Sequence, residues 1–320
     1  MSRIHEALKR AAKEKGKTPA MDAAAEPVDQ LDEASPETGH PVPAVISQTA
    51  ATVVARVSAH AAPAELTRAA AFSAASASAA PSTTAPASSP LLDTCRRARW
   101  QGDASKLFFL SGQKQTFATE QLRMLRSRLY QERQRRVLKI VLVTSALPAE
   151  GKTFVCANLA HAIARQTEKR ILLVDCDLRS PSLHAILGAP SEPGLAAYLK
   201  EEAGVEQILQ RGPMENLFLI PGGTGGTNSA ELLARGRMKN LLALMEPLFD
   251  WILLDAPATS PFPDAVTIAD WSDGVLLVVH GGETQADVVQ SAARELHRRR
   301  LLGVVLNRAG SAGAISSVAV

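Results

Sequence analysis

A chain of 320 residues with a net charge of +3 and only 4% aromatic residues could hold two average domains. The small charge, and the lack of a basic run interleaved with aromatics, argue against nucleic acid as a partner. Three scattered cysteines show no disulfide or metal-ligand spacing. No apolar stretch reaches the ~18 residues of a membrane span and no signal peptide is visible, which predicts a cytoplasmic protein.

The first 93 residues are expected to contribute little to a folded core. Residues 1–17 have the pattern of a short amphipathic helix, either a frayed terminus or a segment that folds against a partner. Residues 18–93 are rich in Ala, Pro, Ser and Thr and poor in bulky hydrophobic residues, which predicts a disordered linker. The folded domain is expected at residues 94–310, followed by a short flexible tail at 311–320.

A helix is predicted ahead of the main sheet, from Phe117 to Gln134. Upstream of it, Leu107 to Leu110 is expected to dock on the domain as an extended segment. One face of the helix carries leucines, and the other carries Glu120, Arg123 and Arg126 at successive three-residue steps. Such a charged face is usually solvated and forms pairs within the helix.

The most informative stretch begins with an apolar strand predicted at Val137–Val143. The turn Ala146-Leu-Pro-Ala-Glu-Gly-Lys-Thr153 follows, and then a helical pattern. Strand, turn ending in Gly-Lys-Thr, and helix together are the context of a phosphate-binding loop. Lys152 would reach terminal phosphates, and the Thr153 hydroxyl would ligate Mg²⁺. The usual first glycine is replaced by Ala146, so the motif needs support from elsewhere in the chain.

Two further apolar strands supply that support because each ends in carboxylates. Leu172-Leu-Val-Asp-Cys-Asp-Leu-Arg179 delivers Asp175, Asp177 and Arg179, and Ile252-Leu-Leu-Asp-Ala-Pro257 delivers Asp255. Open α/β sheets bind ligands at the C-terminal ends of their strands. Asp255 has the position of a Walker B carboxylate directed towards Mg²⁺.

Apolar strands alternate with helical segments from Val137 onward. This pattern predicts an α/β fold of the P-loop NTPase type, with a doubly wound, mostly parallel sheet and helices on both faces. The glycine-rich loop Pro221–Gly226 lacks a dinucleotide fingerprint and is expected to be a mobile connection. The six predicted strands are Val137–Val143, Ile171–Asp175, Leu217–Ile220, Trp251–Asp255, Gly274–Val279 and Gly303–Leu306.

The motifs resemble those of the cytoplasmic kinase domain of bacterial tyrosine kinases. The likeness covers roughly Phe117 to Arg308 and lies in Gly151-Lys-Thr-Phe-Val-Cys-Ala-Asn-Leu-Ala160 and Arg170-Ile-Leu-Leu-Val-Asp-Cys-Asp-Leu-Arg179. The opening Met1-Ser-Arg-Ile-His-Glu-Ala-Leu8 also resembles a leader of some exopolysaccharide-associated members. The resemblance implies an ATP- and Mg²⁺-dependent protein-tyrosine kinase that regulates capsular or exopolysaccharide synthesis.

The resemblance also implies roles for particular residues. The helix that carries Glu120, Arg123 and Arg126 would contact a neighbouring subunit in a ring. A membrane-embedded polysaccharide co-polymerase would hold the protein at the inner membrane. Asn307 would read the adenine base. The remaining expected sets are catalytic Lys152, Asp175, Asp177 and Arg179; nucleotide-binding Ala149, Glu150, Gly151, Lys152, Thr153 and Phe154; and metal-binding Thr153, Asp175, Asp177 and Asp255.

One departure from the family pattern leaves an alternative open. Relatives carry a tyrosine cluster in the C-terminal tail, whereas Ala309 to Val320 holds no tyrosine, and the whole chain has only Tyr130 and Tyr198. A non-kinase ATPase, in which nucleotide controls assembly or partner contact, is therefore the second hypothesis. A partition ATPase is disfavoured because Leu147 stands where those proteins have a signature lysine.

Overall fold

The computed structural model describes residues 90–103, 105–109, 116–166, 168–224, 226–297 and 301–309, together with the backbone of Val54–Val57. The helix predicted at residues 1–17, the tail at 311–320 and most of the linker predicted at 18–93 lie outside the described residues. Within the part of the chain that is described, no helix is both long enough and apolar enough to cross a membrane.

The described residues form one nine-stranded sheet with the spatial order β1-β9-β8-β3-β7-β4-β6-β5-β2. The pairs among β3, β4, β6, β7, β8 and β9 are all parallel, and the antiparallel pairs are β1 with β9 and β5 with β6. The strands are β1 Val54–Val57, β2 Arg96–Arg97, β3 Ile140–Ser145, β4 Ile171–Asp175, β5 Gln210–Arg211, β6 Leu217–Ile220, β7 Trp251–Asp255, β8 Gly274–His280 and β9 Leu301–Asn307.

Ten α-helices connect or flank these strands within the described ranges. The two longest that border the site are α2, whose start is capped by Thr116, and α3, which follows the phosphate-loop sequence directly. The helices are α1 Pro90–Thr94, α2 Phe117–Arg135, α3 Lys152–Ala164, α4 Leu183–Leu187, α5 Leu195–Leu199, α6 Val205–Ile208, α7 Ser229–Ala234, α8 Arg237–Met245, α9 Asp264–Ala269 and α10 Ala286–His297.

Both faces of the sheet are covered, which confirms the predicted doubly wound α/β fold. In β3, Leu142 points to the side packed by α8, α9 and α10, while Val141 and Val143 point to the side packed by α2 and α3. Every residue of the central strands β3, β4 and β7 is buried. A strand buried on both faces needs apolar residues throughout, so these strands read as continuous apolar runs.

The first predicted strand begins too early. Val137 is 73% exposed, and β3 starts only at Ile140 and continues to Ser145. The reason is a contact that is distant in sequence: Asp273 Oδ2 accepts the N–H groups of Lys139 and Ile140 at 2.8 and 2.9 Å. This carboxylate binds the backbone just before β3 and so sets the residue at which the strand begins. The last strand is longer than predicted and runs over Leu301–Asn307.

The structure differs from the predicted linker at two places. Val54–Val57 forms an antiparallel edge strand on β9, and Pro90–Thr94 forms helix α1 with Leu92 buried. An open edge of β9 would leave a row of unpaired backbone groups, and a short strand from the same chain satisfies them.

The segment around Phe108 docks on the domain as predicted, but it is a turn and not an extended strand. Leu107 and Phe109 are buried, and the Phe108 N–H donates to Asn158 Oδ1 at 3.0 Å. Leu110 lies outside the described residues. The amide of Asn158 donates in return to the Lys106 carbonyl at 2.8 Å, so one polar side chain of α3 holds the turn in place.

The glycine-rich loop is held more firmly than predicted over its first residues. The N–H groups of Leu195 and Ala196 donate to the carbonyls of Pro221 and Gly222 at 2.7 and 2.9 Å. A Cβ on Gly222 would lie 2.8 Å from Pro181 Cβ, so the loop packs against the segment that follows β4. The expectation of a mobile connection is therefore wrong for Pro221 and Gly222.

We expect Leu125→Ala in α2 to lower the free energy of unfolding by about 2–5 kcal/mol, because a fully buried leucine leaves a cavity when truncated. Met124→Ala is the matched control, since Met124 is 46% exposed on the same helix and its loss should cost under about 0.5 kcal/mol. Urea denaturation followed by circular dichroism measures both. Equal losses in the two variants would contradict this packing.

Candidate nucleotide and phosphate site

The phosphate loop occupies the turn between β3 and α3, beneath the ends of neighbouring strands. Ala149 and Gly151 have positive φ values of 64° and 93°. A Cβ on Gly151 would lie 2.1 Å from Asn307 Nδ2, so both backbone shape and space require glycine there. The predicted departure at Ala146 causes no difficulty, because this residue is buried as part of the core and does not need glycine's freedom.

Glu150 fixes the loop from inside. It is 3% exposed, and its Oε2 accepts the Leu147 N–H at 2.7 Å. Its Oε1 accepts the His280 N–H at 3.1 Å and the Thr284 hydroxyl. The carboxylate therefore ties the phosphate loop to the connection between β8 and α10. The predicted nucleotide contact of Glu150 stays a prediction, and its side chain holds the loop in shape.

Asn307 holds the same loop from the end of β9. Its Nδ2 donates to the Glu150 carbonyl at 2.8 Å, and its Oδ1 accepts the Arg308 N–H at 3.0 Å. The residue is 2% exposed. The predicted contact with adenine remains a prediction, and the structure gives Asn307 a second role as a brace of the phosphate loop.

Lys152 meets the carboxylates that the sequence placed at strand ends. Its Nζ lies 2.8 Å from Asp177 Oδ2, and the two side chains are 13% and 8% exposed. Burial lowers the pKa of Lys152, but the attraction of Asp255, Asp177 and Asp175 outweighs it and leaves that pKa above its ordinary value. The structure thus brings together four of the predicted site residues, with three carboxylates around the Lys152 ammonium.

Asp175 is fully buried and already occupied by backbone donors. Its Oδ2 accepts the N–H groups of Ser182 and Leu183 at 2.9 and 3.0 Å, and its Oδ1 accepts the Asp177 N–H at 3.2 Å. Burial, followed by the repulsion of Asp255, raises the pKa of Asp175. Asp175 therefore shapes the segment that carries Asp177.

Asp255 is different, because neither of its buried carboxylate oxygens has a hydrogen-bond partner among the described residues. Burial raises its pKa, while Lys152 and then the nearby Thr153 hydroxyl act in the opposite direction. A buried carboxylate with both oxygens free fits a hydrated cation beside it. Mg²⁺ takes one or two protein carboxylates plus phosphates and water, so a single free carboxylate of this kind suits it.

Two residues of the predicted sets have side chains that contact other parts of the protein. Arg179 pairs with Asp264 at the start of α9 at 2.9 Å, because its side chain turns towards the segment after β7. Phe154 packs its ring edge-on against Phe108, with centroids 5.2 Å apart, so that side chain belongs to the core. Neither distinction is visible in the local sequence.

The charged face of α2 is divided between two tasks. Arg123 pairs with Glu120 on the exposed side, as expected of a solvated face. Arg126 instead donates to the Ala162 carbonyl of α3 at 2.6 Å and braces the two helices within the same chain.

Comparison with known proteins adds an independent line of evidence. A family model described as the CobQ/CobB/MinD/ParA nucleotide binding domain matches residues 141–318, more than half of the chain. Tyrosine-protein kinase YwqD of Bacillus subtilis is 32% identical over 191 residues, 59% of this chain and 80% of YwqD. The chain belongs to this nucleotide-binding family, in the branch of the bacterial tyrosine kinases.

Two further proteins match over the same domain. The kinase domain of the Escherichia coli tyrosine kinase ETK superposes with a TM-score of 0.58 at 29% identity, covering 63% of this chain and 79% of that domain. Succinoglycan biosynthesis transport protein ExoP of Rhizobium meliloti is 33% identical over 175 residues, 53% of this chain but 22% of ExoP. The chain therefore spans only a minor part of a relative such as ExoP.

Several residues around the site were not predicted from the sequence. Asp264 begins α9, while Phe262 and Thr284 lie in connecting segments, and each contacts a residue that is distant in sequence. The Pro261 and Pro263 flanking Phe262 indicated a turn but not what the turn contacts.

We expect Glu150→Gln to weaken binding of ATP with Mg²⁺ about tenfold or more, because a charge-assisted set of buried hydrogen bonds that orders the loop is lost. Glu283→Gln is the matched control: Glu283 lies in the same connection, pairs with His280 at 3.1 Å, and is 60% exposed. Titration calorimetry measures both. Equal affinities for the wild type and Glu150→Gln would contradict the bracing role.

The ligand-free chain should become more stable on Asp255→Asn at about pH 7.5, by about 1–3 kcal/mol. Burial raises the folded-state pKa of Asp255 to about 6, so at pH 7.5 the native chain carries a buried, ionised carboxylate that the variant lacks. Between about pH 4 and pH 6 the native chain keeps a proton that the unfolded chain has released, and the cost of the buried charge disappears. The contribution of Asp255 to stability is therefore complete at low pH and is lost as pH rises through the raised pKa, so the gain from the substitution should shrink towards about pH 5.

Urea denaturation at a series of pH values measures this difference, with the exposed Asp270→Asn on α9's C-terminal side as control. A gain that does not change with pH would show that burial does not shift the titration of Asp255.

Proposed function

We propose that this chain is an ATP- and Mg²⁺-dependent protein-tyrosine kinase that transfers the γ-phosphate to a tyrosine of a partner protein in capsular or exopolysaccharide assembly. The observation that carries the proposal is the buried group of Lys152, Asp177, Asp175 and Asp255 beneath the phosphate loop. Phosphoryl transfer depends mainly on positioning and on neutralising charge, and this group can supply both.

The geometry supports separate roles for the two carboxylates after β4. Asp175 is bound by three backbone N–H groups and serves the backbone. Asp177 accepts one backbone N–H, from Ser180 at 3.1 Å, and otherwise pairs with Lys152. A bound phosphate would compete for the Lys152 ammonium and release an oxygen of Asp177. We therefore assign to Asp177 the orientation and deprotonation of the acceptor hydroxyl.

Mg²⁺ would be held by the Thr153 hydroxyl and, through its own water shell, by Asp255, and it would neutralise charge developing on the phosphates. Thr153 is buried, and its hydroxyl oxygen accepts a hydrogen bond from the Ser182 hydroxyl at 3.1 Å, so that oxygen is already oriented at the start of α3. The loop N–H groups and Lys152 would hold the phosphates themselves.

The acceptor tyrosine is proposed to lie on another polypeptide. Tyr198 is 8% exposed beneath the Arg237 guanidinium, and the Tyr130 hydroxyl is buried while its ring packs edge-on against Trp251. Neither hydroxyl could reach a phosphate without local unfolding. The name of ExoP, a succinoglycan biosynthesis transport protein, supports a polysaccharide context.

We also propose that the chain forms a ring-like homo-oligomer and works at the inner membrane through a membrane-embedded co-polymerase. Glu120 and Arg123 remain partly exposed on α2, beside Phe117 and Met124, which are 47% and 46% exposed. Exposed apolar side chains next to a charge pair suit a contact between copies. Arg126 would then support the interface from behind.

Lys152→Ala is expected to lower phosphotyrosine formation at least about 100-fold, because the transferring phosphate loses its main cationic partner. The assay incubates purified chain with ATP, Mg²⁺ and a Glu/Tyr copolymer and detects phosphotyrosine. Lys169→Ala is the control, since Lys169 is an exposed lysine paired with Asp250.

The second candidate, a non-kinase ATPase switch, is favoured by the burial of both tyrosines. It predicts ATP hydrolysis and nucleotide-dependent assembly with no phosphotyrosine on any tested acceptor. That result, in protein shown to bind ATP, would overturn the kinase proposal.

A further inference from the structure

An exposed aromatic side chain stands beside the phosphate loop. Phe262 is 42% exposed in the turn between β7 and α9, and the flanking residues Pro261 and Pro263 are exposed as well. Thr259 anchors the turn to the end of β3: its N–H donates to the Ser145 carbonyl at 2.8 Å, and its hydroxyl donates to the Ala146 carbonyl at 3.4 Å. The turn that carries the ring is therefore held against Ala146, the first residue of the phosphate loop.

The ring is supported from within by Arg179. The guanidinium carbon lies 4.0 Å from the Phe262 ring centroid, within the range of a cation–π contact. Arg179 is held in turn by Asp264, whose Oδ2 also accepts the Ser229 hydroxyl at 3.3 Å. A buried carboxylate thus orders an arginine, and the arginine orders an exposed ring.

Arg179 is also close in sequence to Asp177, the residue to which we assign the acceptor hydroxyl. Arg179 follows Asp177 by two positions, and the intervening turn is closed by the Ser180 N–H donating to Asp177 Oδ1. Asp264 is 3% exposed, and its Oδ1 has no hydrogen-bond partner among the described residues.

We propose that Phe262, supported by Arg179 and Asp264, is the docking surface for the tyrosine-bearing segment of the partner protein. This inference rests on the proposed kinase function. An aromatic face binds another aromatic ring by offset or edge-on stacking, so the surface fits the acceptor side chain itself or an apolar neighbour of it. Because its support is rigid, the ring can place that segment next to Asp177 at little cost in side-chain entropy.

The test compares Phe262→Ala with the wild type in transfer of phosphate from ATP to a Glu/Tyr copolymer. The KM for the copolymer should rise about two- to tenfold, as expected for loss of one aromatic contact, while the Kd for ATP changes by less than about twofold. Phe262→Trp should restore the KM. Leu244→Ala is the matched control, because Leu244 is 48% exposed on α8 and should leave both constants unchanged.

Direct binding separates this inference from the proposed function. Fluorescence anisotropy of labelled Glu/Tyr copolymer, with a Glu/Ala copolymer as reference, measures docking without turnover. If the wild type transfers phosphate but Phe262→Ala changes neither the KM nor the binding, the docking surface is wrong and the kinase proposal stands. A parallel rise in the Kd for ATP would also overturn it, because Phe262 would then serve the nucleotide site.

If no phosphotyrosine forms, yet the wild type binds the Glu/Tyr copolymer better than the Glu/Ala copolymer and Phe262→Ala removes the difference, the surface stands and the kinase proposal fails. If neither transfer nor selective binding is seen, both proposals fail. Asp264→Asn provides a second variant: it should weaken copolymer binding in the same direction as Phe262→Ala, since Arg179 loses its partner.

Discussion

The structure depends on one imbalance of charge, the Lys152 ammonium surrounded by three carboxylates in a site largely closed to water. One cation cannot neutralise three anions at low dielectric, so the excess negative charge has to be removed by protonation or neutralised by added cations. Backbone N–H groups stabilise the charge of Asp175, whereas the charge of Asp255 is offset by Lys152 and the nearby Thr153 hydroxyl, and neither of its oxygens has a hydrogen-bond partner among the described residues. The ligand-free site is thus arranged for positive charge that arrives with a ligand.

This concentration of charge is possible because β3 lies between β7 and β8 in a parallel sheet. Three neighbouring strands end at the same edge, and the connections after them meet there. The phosphate loop consequently touches β8 through Glu150, β9 through Asn307 and the turn after β7 through Thr259. Each of these contacts fixes a part of the loop that its own sequence leaves free, and together they hold it in one shape.

The sequence was sufficient for the fold class, for four of the six predicted strands to within one residue at each end, and for the convergence of Lys152, Asp175, Asp177 and Asp255. These features follow from local pattern and from the rule that parallel strands end at a common edge. The start of β3, the partner of Arg179 and the role of Glu150 could not be predicted in this way. Each is decided by a residue more than 80 positions away, such as Asp273, Asp264 or Thr284.

The same limit applies to roles carried over from a family resemblance. The resemblance implied ligand contacts for Asn307 and Glu150, and the structure shows that both side chains also hold the phosphate loop in shape. It likewise grouped Arg126 with Glu120 and Arg123, while the packing of α2 on α3 gives Arg126 a partner within the same chain. Periodicity identifies which residues share a helix face, but not which groups that face contacts.

The close approach of Gly151 and Asn307 has a practical consequence for anyone altering this protein. Any side chain at position 151 collides with the amide of Asn307, and a smaller residue at position 307 removes the bond to the Glu150 carbonyl, from which it is separated by 157 positions. Positions 151 and 307 are therefore structurally coupled, and a change at either one disturbs both the loop and strand β9. A variant meant to lower activity while keeping the loop in shape should therefore leave both positions unchanged.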